Sequence, residues 1–257
     1  MILDFKGTPI FYTDSGQGET LVLLHGFLEN SSIWTPFIND LSKNNRIICV
    51  DLLGHGQSGC LGYIHSMELM AETVSAVLNH LKINRCTILG HSMGGYVALA
   101  FTEKHPDMVR GLCLANSTAS ADSEERKKNR DRAIVAVKEN HKMFINMSIP
   151  NLFSQENKTS FAEDIKLLKS EALKMPVQGI VAALEGMKLR PNREKILHSN
   201  VYRKLMILGK KDPVLNYDDL IEQTKGLDIK IVEFPDGHMS FIENRGQFLQ
   251  EIMHFIE

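Results

Sequence analysis

Cys86-Thr87-Ile88-Leu89-Gly90-His91-Ser92-Met93-Gly94-Gly95-Tyr96-Val97-Ala98-Leu99-Ala100-Phe101 is the stretch that decides the fold. A short apolar run leads into a glycine-rich turn around one serine, and a helical stretch follows at 96–101. Runs of about four apolar residues without alternation are what strands covered on both faces need. The same kind of run recurs at 21–24, 46–50 and 112–115, and again at 204–208 and 229–234. Between them, Leu69, Met70, Val74, Val77, Leu78 and Leu81 repeat with a helical period over 66–81, and a further helical stretch lies near 34–41. Strand, helix, strand in succession predicts a parallel α/β sheet flanked by helices. At its start, Ile10-Phe11-Tyr12-Thr13, the turn 14–18 and Leu21-Val22-Leu23-Leu24 read as an antiparallel hairpin.

The rhythm stops near Asn116. From Ala119 to about Lys188 the pattern is helical with no convincing strand, so the chain divides into a core, 1–118 and 191–257, and a helical insertion, 119–190. The insertion opens on 122–132, where five basic and four acidic residues read as a solvated helix face laced with ion pairs. Asn151 to Ser160 is a polar break, and an amphipathic helix over 241–256 closes the chain.

Ser92 is the centre of the chemistry. A serine on a sharp strand-to-helix turn is held in a strained backbone with its hydroxyl at the carboxyl edge of the sheet, and Gly90, Gly94 and Gly95 let neighbouring backbone come close. The competing reading is an ordinary helix N-cap serine. A serine hydroxyl is a poor nucleophile until a base takes its proton, and the base needs an orienting acid. Asp212 follows the run 204–208 and His238 follows the run 229–234, so both reach the same sheet edge as Ser92, in the order serine, acid, histidine. Glu243 is the weaker rival for the acid, Asp236 lies too close in sequence to orient the ring, and His254 reads as a surface residue. A tetrahedral intermediate also needs two fixed N–H donors. Met93, at the start of the helix, and Phe27, in the turn His25-Gly26-Phe27, are the expected sources of those backbone N–H groups.

With these residues in view, the chain resembles the α/β-hydrolase superfamily, in a serine-nucleophile, lidded, esterase-like form. The resemblance spans nearly the whole chain through His25-Gly26-Phe27, the segment 51–58, Gly90 to Gly95, Gly209 to Pro213 and Gly237-His238. It implies eight mostly parallel strands with a helical lid, here 119–190, between the sixth and seventh, and a structural loop at 51–58 that leaves His55 and Ser58 as scaffold. A serine rather than a carboxylate at the nucleophile position disfavours dehalogenase and epoxide-hydrolase chemistry. What remains is acyl transfer to water through an acyl-serine, by a carboxylesterase, thioesterase or lactonase, and the leading expectation is a carboxylesterase for small or medium acyl chains. The alternatives are a carbon–carbon bond hydrolase or lyase using the same triad, and a slow-turnover, receptor-like binding protein. Phe27, Met93, Met239 and the insertion methionines Met143, Met147, Met175 and Met187 are candidates for an apolar acyl pocket, beside the plainer reading of core filler. No cluster of Lys or Arg flanks the site in sequence, which leaves an anionic substrate without a clamp unless Arg190 and Arg193 supply one.

Composition sets the outer limits. At 257 residues one core suffices, and 43% hydrophobic with 23% charged residues is ordinary for a folded globular chain. A formal net charge of −2 does not favour nucleic acid or anionic membrane surfaces. Cys49, Cys60, Cys86 and Cys113 show no metal-ligand spacing, so neither metal nor cofactor is expected. The opening residues lack a signal-peptide pattern, and no apolar run approaches the ~20 residues that span a bilayer. These features lead to the expectation of a cytoplasmic protein acting on a small ester-like molecule.

Overall fold

Continuous apolar runs become the central strands of one sheet. The computed structural model describes residues 1–257. The strands are β1 (Ile2–Phe5), β2 (Thr8–Ser15), β3 (Glu19–Leu24), β4 (Asn45–Val50), β5 (Cys86–His91), β6 (Val109–Ala115), β7 (Arg203–Gly209) and β8 (Lys230–Phe234). They form a single eight-stranded sheet in the order β1-β2-β4-β3-β5-β6-β7-β8. From β4 to β8 every pairing is parallel, while β2 runs antiparallel to β4. All six residues of β5 are buried, as a strand with helices on both faces requires.

The hairpin expected between 10–13 and 21–24 does not form. β4 lies between β2 and β3, and the hairpin partner of β2 is instead β1, with Phe5 opposite Thr8. The two-residue turn between them is Lys6-Gly7, with φ of 54° and 79°. Two successive positive φ values are what a tight hairpin turn needs, and Lys-Gly is a weaker signal for it than Asn-Gly. β3 is buried along nearly its whole length, so it takes parallel neighbours on both sides, whereas partly exposed β2 goes outward.

Ten helices complete the chain. α1 (Thr35–Leu41), α2 (Met67–His80) and α3 (Met93–Lys104) follow β3, β4 and β5 in turn. α2 is capped by Ser66, whose hydroxyl accepts from the Leu69 N–H. Between β6 and β7 lie α4 (Glu124–Ser148), α5 (Ala162–Ala172), α6 (Val177–Leu189) and the short α7 (Glu194–Leu197). α4 is broken at Asn140, where φ and ψ leave the helical region. α8 (Tyr217–Glu222) follows β7. The closing helix divides into α9 (Ser240–Glu243) and α10 (Arg245–Ile256) at Asn244, whose φ is −131°. Trp34, Phe37, Phe241 and Phe248 stack into an aromatic cluster that ties α1 to α9 and α10, with Trp34–Phe241 and Phe37–Phe248 centroids both 5.6 Å apart.

The start of α3 sits close against the end of β3. A Cβ at Gly94 would lie 2.5 Å from the Leu24 carbonyl oxygen and 2.7 Å from that of His25, both backbone atoms that cannot swing aside. Gly94→Ala is expected to cost about 1–3 kcal/mol of stability through overpacking, measured by urea denaturation. An unchanged midpoint would show that α3 can lift off the strand at no cost.

Candidate active site

Three side chains from three separate loops meet at the carboxyl edge of the sheet. Ser92 sits between β5 and α3 with φ 49° and ψ −115°, a conformation costly for any residue with a Cβ. Its side chain makes no capping bond to α3, so the N-cap reading does not hold. The turn is fixed through the backbone instead. The Ser92 N–H donates to the Ala115 carbonyl at 2.9 Å, and the Ser117 hydroxyl donates to the Ser92 carbonyl at 2.8 Å. His238, following β8, is buried with its Nε2 2.8 Å from Ser92 Oγ and its Nδ1 2.7 Å from Asp212 Oδ2.

An ionised carboxylate only accepts, so Nδ1 carries the proton toward Asp212 and Nε2 is left to accept from the serine hydroxyl. Asp212 is itself held firmly. Its Oδ1 accepts from the Val214 and Leu215 N–H groups at 2.8 and 3.0 Å, and Asn116 Nδ2 donates to Oδ2 at 3.2 Å. Burial alone would raise the Asp212 carboxyl. The imidazole of His238 and the two backbone donors more than offset this and hold it below the ordinary carboxylate value.

The rival acids lie elsewhere. Glu243 accepts from the Gly237 N–H at 3.1 Å and the Ser154 N–H at 3.0 Å, so it braces the loop that carries His238 without touching the ring. Asp236 is half-buried and makes no hydrogen bond to the ring, and His254 is exposed. Met93 is fully buried at the head of α3, and Phe27 lies in the loop after β3. The Phe27 N–H donates to no other backbone group. That loop is pinned by His25, whose Nδ1–H donates to the Gly26 carbonyl at 2.8 Å while its Nε2 accepts from the Leu52 N–H at 2.9 Å. In the segment 51–58, Asp51 accepts from Ser31 and Gln57, and Ser58 bridges Asp51 to Phe11, which is a scaffold role.

A second acid–histidine pair stands directly behind these residues, and periodicity and spacing did not single it out. Glu29 is buried, with Oε2 3.1 Å from His91 Nδ1 and 2.5 Å from the Gly26 nitrogen. His91 Nε2 lies 3.0 Å from the His238 carbonyl oxygen. Both ring nitrogens of His91 thus face acceptors, which only the imidazolium satisfies. Burial works against charging the ring, but the Glu29 charge and hydrogen bond and the His238 carbonyl outweigh it, and the His91 pKa is raised. Glu29 is likewise pushed up by burial and then carried below its ordinary value by His91 and the Gly26 N–H.

Ser92 and His238 open into a cavity of about 180 Å³ whose walls include Phe27, Tyr96, Phe144, Leu152, Met187 and Val214. Phe27 and Met187 occupy the expected pocket positions. Met143 and Met147 do not, since each is 59% exposed on the outer side of α4, and Met175 faces a different cleft. Met93 and Met239 are fully buried in the core. The expected solvated face at 122–132 is also only partly present. The Asp122 side chain is completely buried, and Arg126 and Arg130 line the cavity. Arg193 is engaged by Glu68 and by Glu103 at 2.9 Å and is not among the residues that line the cavity.

Comparison with known proteins identifies the family. The family described as alpha/beta hydrolase fold matches residues 19–245. The chain therefore belongs to that family. A thermophilic esterase from Thermogutta terrifontis superposes with a TM-score of 0.91 at 29% identity, over 97% of this chain and 93% of that one. The pimeloyl-[acyl-carrier protein] methyl ester esterase of Aliivibrio salmonicida is 24% identical over 265 residues, 97% of both proteins. An uncharacterized protein of Mycobacterium tuberculosis is 37% identical over 103 residues, which are 40% of this chain and 30% of that protein. This chain therefore matches under a third of the length of that relative. No helix is long and apolar enough to cross a membrane.

Proposed function

We infer that the chain is a serine hydrolase of carboxylic esters with small or medium acyl chains, working through an acyl-serine. The observation that carries this reading is His238 set between Ser92 Oγ and Asp212 Oδ2 at 2.8 and 2.7 Å, with Ser92 in a strained turn. Ser92 Oγ attacks the ester carbonyl carbon while His238 Nε2 takes its proton, and Asp212 stabilises the imidazolium. The backbone N–H groups of Phe27 and Met93 receive the charge that develops on the carbonyl oxygen, the latter at the positive end of α3. Collapse of the tetrahedral intermediate expels the alcohol with the proton from His238. Water, deprotonated by the same nitrogen, then attacks the acyl-serine, and as the acyl–oxygen bond breaks the imidazolium returns that proton to Ser92 Oγ and the acid leaves.

The helical segment 119–190 acts as a lid, since Arg126, Arg130, Phe144, Leu152 and Met187 wall the cavity into which Ser92 opens. A cavity of about 180 Å³ favours short acyl chains. The free cysteines, three of them buried, suit a reducing, cytoplasmic setting.

Initial rates on p-nitrophenyl esters of increasing acyl length test this, with Ser92→Ala alongside. The expected result is an optimum at short acyl chains and no rate above background in the mutant. Equal idleness of both proteins toward every ester would overturn the reading and point to carbon–carbon hydrolysis, lyase chemistry or ligand binding.

A further inference from the structure

The wall of the Ser92 cavity carries an excess of positive charge. Arg126 and Arg130, one turn apart on α4, both line it, and Arg190 at the end of α6 stacks its guanidinium 4.0 Å from the centroid of Tyr96, another wall residue. All three arginines converge on one carboxylate, Asp122, through Arg126 Nε at 3.3 Å, Arg190 Nη1 at 2.7 Å and a close contact from Arg130. No other carboxylate lies within 4.0 Å of any of them, so three cations share one anion. Asp122 is pushed up by its burial and then carried below its usual value by Arg130 and Arg190, so it stays ionised and its charge is already spent.

The donors are also in surplus. Arg126 uses one further nitrogen on the Val214 carbonyl at 2.7 Å. Arg130 Nη1 finds only the Met187 thioether sulfur at 3.4 Å, a weak acceptor. Arg190 is 5% exposed, yet its Nε and Nη2 have no hydrogen-bond partner at all. Buried guanidinium donors without acceptors are costly, and each such group calls for an explanation. A structural tie between α4 and α6 would need only as many donors as Asp122 can satisfy.

We propose that Arg126 and Arg130, backed by Arg190, form an anion subsite in the substrate cavity, and that the substrates are small esters or lactones bearing a carboxylate remote from the scissile carbonyl. This rests on the acyl-serine reading and narrows its substrate class. Of the two arginines the sequence offered for such a clamp, Arg190 belongs to this group and Arg193 does not. A guanidinium fork fits a planar carboxylate in two-point contact, which fixes the far end of the substrate while Ser92 and His238 hold the near end. The gain is in binding and orientation, so it is expected mainly in KM.

The test compares monomethyl adipate with methyl hexanoate, esters of equal acyl length that differ in the terminal carboxylate, by methanol release. Wild type is expected to favour the acid in kcat/KM by about tenfold or more, and Arg126→Gln and Arg130→Gln each to lower the ratio of the two kcat/KM values by about tenfold or more, chiefly through the KM of the acid. Arg130→Lys, which keeps the charge beside buried Asp122, is expected to fold and to recover part of the preference. Arg126→Gln guards against a folding defect, because that side chain is 35% exposed. No preference in wild type, or one that survives in both glutamine variants, overturns the subsite while leaving the esterase reading intact. A parallel calorimetric titration of Ser92→Ala with monomethyl adipate decides the matter even if no ester turns over. Binding that Arg130→Gln and Arg126→Gln each abolish supports the subsite, and absence of binding overturns it.

Discussion

Ser92→Ala is expected to lower kcat by about 10⁵- to 10⁶-fold, His238→Ala by a similar factor, and the double mutant by no more than either alone. The nucleophile and its base act as one unit, because a hydroxyl without the imidazole is not activated and an imidazole without the hydroxyl has no acyl acceptor. Asp212→Asn is expected to cost on the order of 10⁴ in kcat, since an amide in that place can donate to Nδ1 and favours the wrong tautomer. The Val214 and Leu215 N–H groups that now converge on Oδ1 at 2.8 and 3.0 Å help keep the side chain in place, so the loss falls on chemistry. Single-turnover rates on the best p-nitrophenyl ester separate these cases. Near-normal activity in Asp212→Asn would remove Asp212 from the mechanism, and additive losses in the double mutant would break the coupling of serine and histidine. Ser92→Gly carries an opposite sign for stability. With φ at 49°, relief of backbone strain is expected to raise the unfolding free energy by about 1–3 kcal/mol while activity is lost. A glycine variant no more stable than alanine would mean that the turn stores no strain.

The parts of this molecule that could be read from residues alone are those whose signal is local or ordered along the chain. β5, the turn at Ser92 and α3 announce themselves by an apolar run, glycines and a helical stretch within sixteen residues, 86–101. Asp212 and His238 follow because each comes just after a late strand, and parallel strands deliver their following loops to one edge. Burial partners chosen across the fold leave no such trace. Glu29 meets His91 across 62 residues and carries no motif, although a glutamate beside apolar Leu28 hints at a buried charge needing a partner. The charged stretch at 122–132 misleads because abundance of charge says nothing about which face turns inward. The usable signal was spacing: Arg126 and Arg130, four residues apart, share one side of α4 opposite exposed Glu124 and Lys128, and Asp122 stands just ahead of the cap residue Ser123. The outward methionines Met143 and Met147 share the same cause, since α4 is interrupted at Asn140 and its period does not carry through.

Glu29→Ala is expected to be the most destabilising single substitution around the site, at about 3–5 kcal/mol, because it strands a buried cation and removes the acceptor of the Gly26 N–H. The pH dependence identifies the cause. His91 has a raised pKa in the fold, so its share of the stability is fully present below its unfolded value of 6.5 and is lost as pH climbs through the higher folded value. Glu29 has a lowered one, so its share is present above 4.5 and lost as pH falls through the lower folded value. The gap in stability between wild type and Glu29→Gln is therefore expected to be widest between pH 4.5 and 6.5 and to narrow on the alkaline side, where His91 sheds its proton in both proteins. Asp212, which adds to the field on His91, titrates below this window and leaves the alkaline limb to His91. The pair also reaches both halves of the chemistry. Glu29 holds the Gly26 N–H just before Phe27, and His91 donates to the backbone carbonyl of His238. A displacement of about 1 Å at either end can cost on the order of 100-fold in rate. Glu29→Gln is accordingly expected to lower kcat with KM little changed, because the misplaced groups act on the developing oxyanion and the proton rather than on the bound ester. Urea denaturation across pH, run beside steady-state kinetics on the same variant, checks both. A pH-independent stability gap would show that His91 is neutral in the fold, and an unaltered kcat would confine the pair to holding the structure together.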